Sequence, residues 1–494
     1  MNLKRLAMSA GMVAGLLSAG PVVAFQDATP AGGPGGMPPL PEGCSVAADG
    51  LINPRYVAVA DDGTLYISES GSGGDEVVAP PATSATPVAG EEMGPAGDMT
   101  RGNTGQVTMV SPDGEQSVIA TGFPSYMMGG QESTGPADLL VDGDTVVLAI
   151  GGAGPATAFT EPLPNENSVV AIDPATGEVT LLADIGAAER ELNPDPNAID
   201  SNVYGIALGS DGAYYVNDAG GNTTYRVPSG GGDPEVVAVH PGLEIPADQA
   251  PPGGNPSRGG ANELDPVPTD IVAGADGSLL SGLLSGGPFP PGAAKVVNIA
   301  ADGTLSDVAA GLTMVVGVAV GPDGHLYVTQ FSTDLLSGDM PAPGNVVRVL
   351  EDGTQEVVVD GLMLPNGITF DQDGNLLVVT GATGPGMPMG QVLRCEGVAM
   401  MTAAPEVVEI TMGDVFYSPS TLTIPADTDV TIRLVNDGFA THDISISGVN
   451  LRSEKIKGGE TFEMTVNLPA GDYAFGCDVP GHRLAGMTGT LHVA

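Results

Sequence analysis

One unit recurs along most of this 494-residue chain and leaves few folds open to it. An apolar run, an Asp-Gly turn and a second apolar run first appear as Tyr56-Val-Ala-Val-Ala-Asp-Asp-Gly-Thr-Leu-Tyr-Ile. The same pattern returns as Asp138-Leu-Leu-Val-Asp-Gly-Asp-Thr-Val-Val-Leu and as Gly205-Ile-Ala-Leu-Gly-Ser-Asp-Gly-Ala-Tyr-Tyr-Val, and three further copies begin at Asp270, Gly317 and Gly367. A second half, strand–turn–strand ending in Gly, follows most of them. Examples are Gln106-Val-Thr-Met-Val-Ser-Pro-Asp-Gly with Ala120-Thr-Gly, and Lys295-Val-Val-Asn-Ile-Ala-Ala-Asp-Gly with Ala310-Gly. Asp-Gly between short apolar runs makes hairpins. Four antiparallel strands per unit, repeated radially, make a β-propeller.

Six first halves stand against five complete second halves. The sixth unit stops at Cys395 without its last strand, and Cys44-Ser-Val-Ala-Ala-Asp-Gly-Leu51 resembles the missing ending (compare Val308-Ala-Ala-Gly-Leu312). The N-terminal strand is therefore expected to complete the sixth blade. Cys44 and Cys395 then fall on adjacent strands, where a disulfide would restrict the unfolded chain by roughly 4–5 kcal/mol. The alternative is two free buried thiols. Insertions at Gly71–Gly105 and Gly151–Asn167 are expected as loops on one face.

Composition agrees with an all-β chain. Gly 74 and Pro 43 are high, aromatics are 4%, and long helical periodicity is missing. The length exceeds what one core usually serves. The formal charge of −45 repels nucleic acid and anionic membranes, and solubility in an exported setting accounts for it. A cationic partner or divalent cations are the sharper alternative.

The first residues read as a secretory signal: Lys4 and Arg5, an apolar stretch from Leu6 to Val23, and Val22-Val23-Ala24 as a small-residue cleavage site. Cleavage after Ala24 leaves a Pro/Gly-rich tether over 25–43. The expected divisions are a signal peptide 1–24, the tether, a six-bladed propeller 44–395, a linker 396–405 and a β-sandwich 406–494. The mature chain would carry no membrane span and would be periplasmic or extracellular, where disulfides persist.

The last ninety or so residues carry the chemistry. Period-2 strands run through Val408-Glu-Ile-Thr-Met, Thr421-Leu-Thr-Ile, Val430-Thr-Ile-Arg-Leu-Val, Phe462-Glu-Met-Thr-Val and Thr490-Leu-His-Val. His442 ends one strand-like segment. Cys477, His482 and Met487 share the run Tyr-Ala-Phe-Gly-Cys-Asp-Val-Pro-Gly-His-Arg-Leu-Ala-Gly-Met. One thiolate, two imidazoles and a thioether are the donors of a blue-copper site.

This order, with Tyr473-x-Phe-x-Cys477 and Pro480-Gly-His482, resembles plastocyanin and related cupredoxins over the whole domain. The resemblance implies one type 1 copper per chain, with His442, Cys477 and His482 as strong ligands and Met487 as the weak axial one. It also implies electron passage at an apolar rim around His482. Two departures stand out. Four residues separate Cys477 from His482, and four separate His482 from Met487. Asp443 follows His442 where many relatives have Asn; it could brace the ligand loop through backbone N–H groups or lower the potential by its charge.

The segments Asp200-Ser-Asn-Val-Tyr-Gly-Ile-Ala, Asn217-Asp-Ala-Gly-Gly-Asn222, Val267-Pro-Thr-Asp-Ile and Gly102-Asn-Thr-Gly-Gln-Val resemble the ScyD/ScyE family of secreted propellers over about 44–395. That family's biochemical activity is not established, so the resemblance implies fold and export.

Other signals are discounted. His492 points away from the core side of its strand, His325 fills an exposed turn slot, and His240 ends an outer strand without an evident partner. Met387, Met389, Met400 and Met401 read as packing residues ahead of Cu(I) carriers. Asn366 sits in a Pro-Asn-Gly also seen in gluconolactonase-like propellers. The matching slots Arg55, Ala137, Tyr204, Thr269 and Val316 do not make a carboxylate cage, and no catalytic residue is assigned.

The leading expectation is an exported blue-copper electron-transfer protein whose propeller binds a redox partner protein or a small-molecule ligand. A propeller enzyme, oxidoreductase or lactonase-like hydrolase, using the copper domain as electron outlet is the second. A non-redox copper-binding or adhesion protein is the third.

Overall fold

The Asp-Gly turns organise the strands as their chemistry requires. In the turn at Asp62-Gly63, Thr64 N–H donates to Asp62 Oδ1 at 2.9 Å and Gly63 N–H to Ala60 O at 2.9 Å. The same pairing recurs at Asp211 with Ala213 and at Asp323 with His325. Gly63 has φ 88° and Gly212 φ 76°, a region where a side chain is strained and glycine is not.

The computed structural model describes residues 39–493 except 79–98, 131, 153–160, 197–199, 247–253, 256–257, 275–276, 336–340, 351, 385, 400–406, 425–429, 450 and 470. The proposed leader, most of the tether, part of the linker, Met400 and Met401 lie outside the described residues. The chain divides into two compact units, the first ending at Ala399 and the second spanning Met400–Ala494.

Among the described residues, the first unit holds six antiparallel blades. Blade three runs Val203–Leu208, Tyr214–Asp218, Thr223–Val227 and Glu235–Val239 from the axis outward. Middle strands such as Leu65–Glu69 and Leu376–Thr380 are buried along their whole length, because neighbouring blades pack on both faces. Outer strands such as Leu305–Leu312 are mostly exposed. Blade six is Ile368–Phe370, Leu376–Thr380 and Gly390–Cys395, and its outer strand is Cys44–Leu51. Cys44 lies opposite Cys395 in the register, and the two form a disulfide.

Hydrogen bonds carry the ring from blade to blade. Asp138 Oδ2 accepts from Ile206 N–H at 2.8 Å, and Asp270 Oδ2 accepts from Val318 N–H at 2.7 Å. Gly367 N–H donates to Arg55 O at 2.9 Å and joins the sixth blade to the first. At the axis the Tyr56 ring lies where a Cβ on Gly367 would be, and an added Cβ on Gly205 would meet Thr269 O. Gly367 thus makes room for Tyr56, and Gly205 for the strand that carries Asp270.

One expectation needs correction. The Gly71–Gly105 insertion is not all loop: Glu76–Val78 pairs with the start of the long strand Met99–Val110. A short helix, Ile185–Leu192, follows blade two, its first turn capped by Asp184 Oδ1 accepting from Ala187 N–H at 2.7 Å.

The second unit is a two-sheet sandwich. One sheet orders Phe416–Ser418, Val407–Gly413, Val430–Asn436 and Thr461–Val466. The other orders Thr421–Ile424, Thr488–Val493, Gly471–Gly476, Ser445–Ile446 and Leu451–Arg452. Ile410, Ile432, Leu434, Ile444, Phe475 and Leu491 form the core between them, and Cys477 and Met487 belong to that same core.

Candidate metal centre

His442 leaves the sheet at a single bridge. Its N–H donates to Ile456 O at 3.0 Å, and Ile456 N–H returns to His442 O at 2.8 Å. Asn436, fully buried at the end of its strand, spans the intervening loop. Its Nδ2 donates to Ala440 O and to Ile456 O, both at 2.9 Å. The approach to His442 is therefore fixed from two sides.

The other ligand-type residues follow the strand Gly471–Gly476. Cys477 N–H donates to Met487 O at 3.1 Å, Met487 N–H to His482 O at 3.0 Å and His482 N–H to Val479 O at 3.1 Å. These bonds fold 477–487 into a closed loop in which three of the four residues depend on one another's positions. Cys477, Met487 and His442 are buried; His482 is half-buried.

The structure brings three donor atoms together. Cys477 Sγ lies 3.6 Å from His482 Nδ1 and 4.0 Å from His442 Nδ1, and the two Nδ1 atoms are 3.1 Å apart. Among the described residues, this is the one cluster of three His, Cys, Asp or Glu side chains whose donor atoms all lie within 4.8 Å. Metal–nitrogen bonds of about 2.0 Å and metal–sulfur bonds of about 2.3 Å let one ion reach all three. Met487 is held beside them by its backbone and by burial in the same core.

Electrostatics favour the metal-ready form of the imidazole and oppose that of the thiol. Burial, and then the charge of His482, push the His442 pKa down and keep that imidazole neutral. Burial raises the Cys477 thiol, so without an ion it stays protonated, and an ion must displace its proton to bind.

Asp443 braces the loop. It is fully buried, its Oδ1 accepts from Asp478 N–H at 2.7 Å, and its Oδ2 accepts from Arg452 at 2.9 Å. Burial alone would raise its pKa; the Arg452 and Asp478 hydrogen bonds outweigh that and hold it below the usual carboxylate range. Tyr417 O–H donates to Asp443 O at 2.6 Å. Asn436, Tyr417 and Arg452 escaped the sequence reading. Tyr417 and Arg452 lie 26 and 9 residues from Asp443, and no local motif links them.

The remaining histidines lie elsewhere. His240 is fully buried and shares a hydrogen bond with Thr224 Oγ1 at 2.9 Å, so it has a partner after all; burial pushes its pKa down to about 3. His325 is not fully exposed but half-buried beside Asp323, and His492 pairs with Asp472. Met387 and Met389 are exposed. At the axis, Tyr204 O–H donates to Asn366 Oδ1 at 2.7 Å, and Arg55 bonds Ser70 Oγ and Ser133 O.

Two family models match the chain: a cupredoxin-like domain over 393–493, and an SMP-30/gluconolactonase/LRE-like region over 317–384. The C-terminal domain is thus cupredoxin-like and the first unit carries a propeller-like region. None of the curated proteins compared with the chain matches it. Among solved structures, the chain is similar to an auracyanin from Roseiflexus castenholzii (22% identity, 19% of this chain, 99% of that one, TM-score 0.17). It is also similar to auracyanin A, a "blue" copper protein from Chloroflexus aurantiacus (27%, 18% and 100%, TM-score 0.18). A third is a virginiamycin B lyase from Staphylococcus aureus (14%, 71% and 97%, TM-score 0.36). These scores are low, and the architecture rests on the strand pairing described above.

Proposed function

We propose that this chain is an exported blue-copper protein that transfers single electrons, its propeller serving to bind a partner or substrate. The observation that carries this reading is the convergence of two imidazole Nδ1 atoms and one cysteine Sγ within 4.0 Å of one another at the edge of an apolar core. Two imidazoles, a thiolate and a buried thioether suit copper in both oxidation states. Copper held by His442, Cys477, His482 and Met487 would supply one-electron chemistry.

The chain's own part is to keep the donors still. The Asn436 clasp, the His442–Ile456 bridge and the Asp443–Asp478 brace each fix a ligand-bearing segment, so little rearrangement accompanies a change of charge. His482 is half-buried on a loop whose Leu484 is 96% exposed, and Phe439 on the His442 loop is 98% exposed. Large apolar side chains so far into solvent fit a transient redox partner. The Cys44–Cys395 disulfide fits an oxidising compartment, periplasmic or extracellular, and the propeller's segments fit a ScyD/ScyE-like ancestry.

Voltammetry of copper-loaded protein tests this. A reversible one-electron wave, absent in Cys477→Ser, is expected. Copper that cannot be reduced and reoxidised without release would point to a non-redox binding protein instead.

A second reading, a lactonase-like propeller hydrolase, has the gluconolactonase-like match over 317–384 in its favour. A central metal cage is opposed by Arg55 in one axial slot and by the Tyr204 hydrogen bond already taken by Asn366 Oδ1. Assay of the copper-free protein against simple lactones separates the two.

A further inference from the structure

Three polar side chains come together at one end of the propeller axis, each from the start of a different inner strand. Arg55 stands on blade one in Pro54–Val59, Tyr204 on blade three in Val203–Leu208, and Asn366 just ahead of Ile368–Phe370 on blade six. Arg55 and Asn366 are placed alike: Asn53-Pro54-Arg55 and Leu364-Pro365-Asn366 each carry a left-handed residue two positions earlier, Asn53 at φ 50° and Leu364 at φ 45°. Their blades are neighbours, joined by Gly367 N–H donating to Arg55 O at 2.9 Å. Tyr204 reaches over from the opposite blade, and its hydroxyl donates to Asn366 Oδ1 at 2.7 Å.

All three are buried, and the set has a surplus of donors. Two arginines are buried among the described residues. Arg348 has carboxylate partners, Asp323 at 3.7 Å and Glu356 at 2.7 Å; Arg55 has none. Arg55 Nε donates to Ser70 Oγ at 3.3 Å and Nη2 to Ser133 O, both uncharged acceptors, and Nη1 has no partner among the described residues. A buried charge without a counter-charge is costly. Asn366 Nδ2 is likewise buried with no hydrogen-bond partner. The guanidinium charge reaches the phenol: burial raises the Tyr204 pKa, and Arg55 is the strongest influence against that rise. Asp270 and Asp138 act on it more weakly, and their carboxylate oxygens are already taken by backbone N–H groups. The Tyr204 ring packs in one apolar cluster with Met314, Val316 and Phe331.

We infer that this end of the propeller axis binds a small monoanionic organic acid, its carboxylate received by Arg55 and Asn366 Nδ2 and its apolar body lying against Tyr204. A carboxylate accepts on both oxygens and takes two N–H donors at once, the two that are left over here. One unpaired positive charge calls for one negative charge, and the nearby Asp138 and Asp270 disfavour more. The residues that oppose a metal cage at the axis are thus the ones that suit an anion. This inference deepens the reading of the propeller as the unit that binds a partner or substrate, and rests on it; nothing in it depends on copper.

The full chain, free of copper, is titrated with benzoate, benzamide and chloride at matched ionic strength, by calorimetry and by propeller melting. Benzoate should bind and raise the melting midpoint. Benzamide, the same shape without the charge, should bind about tenfold more weakly or worse, and chloride should leave the midpoint unchanged. Arg55→Met should abolish benzoate binding. Asn366→Asp supplies the missing counter-charge from within, so it should abolish benzoate binding while raising the midpoint without ligand, which separates loss of the site from loss of the fold. Benzoate binding that both variants keep overturns this site and leaves the propeller reading standing. Benzamide binding as tight as benzoate, or no benzoate binding up to about 50 mM, also overturns it and leaves the propeller to a protein partner.

Discussion

Asp443 carries more of the centre's geometry than its place beside a ligand implies. Replacing it with Asn keeps an acceptor for Asp478 N–H and loses the Arg452 ion pair, whereas Ala loses both. Copper titrations are expected to find Asp443→Ala binding about 10–100-fold more weakly and Asp443→Asn much closer to the parent, the usual range for groups that orient ligands. Equal losses would assign the effect to charge and not to the brace. Asn436→Ala strands the Ala440 carbonyl, leaves Ile456 O with the His442 N–H alone, and should cost the second unit about 1–3 kcal/mol in denaturant unfolding. The grouping of His442, Cys477 and His482 was legible because soft donors at this spacing are rare in a chain with three cysteines and five histidines. The burial of Glu189, Asp200 and Asp218 side by side was not: they are three of 60 acidic residues, and only the fold brings them together.

At the scale of elements, the repeat was readable because its turns are local: Asp accepts from a backbone N–H two residues on and Gly takes the positive φ. The closing strand was readable from what the sixth unit lacked. The helix Ile185–Leu192 was not, since eight residues give too few turns for periodicity to stand out. His240 looked unpartnered because Thr224 lies on the neighbouring strand, which sequence alone did not pair with it. Two tests belong here. Serine at both Cys44 and Cys395 should lower propeller stability by about 2–5 kcal/mol, read as a shift in denaturant midpoint. Gly367→Ala places a methyl in the Tyr56 ring and should cost about 1–3 kcal/mol, whereas Gly63→Ala is opposed by its φ alone. An unchanged midpoint for Gly367→Ala would deny the close packing at the axis.

The whole molecule joins units with separate cores and separate chemistry. At the propeller axis, Asp138 and Asp270 share a site in which burial, and for Asp138 next its neighbour's charge, raises the carboxyl pKa, to about 7 for Asp270. A carboxyl whose folded pKa lies above its unfolded value stabilises fully below the unfolded value, near pH 4, and the benefit is lost as pH rises through about 7. Propeller unfolding should therefore need more denaturant at pH 5 than at pH 8; the reverse slope would contradict a shared buried proton. Copper, by mass action, should raise the melting of the second unit and leave the propeller transition in place. The central claim is the copper centre, and it is met most directly by adding copper(II) to the purified protein and recording visible absorption and electron paramagnetic resonance beside Cys477→Ser. An intense blue thiolate-to-copper band with narrow hyperfine splitting, lost in the variant, is the expected result. A colourless adduct, or an ordinary copper spectrum shared by the variant, would contradict the assignment of His442, Cys477, His482 and Met487 as one site.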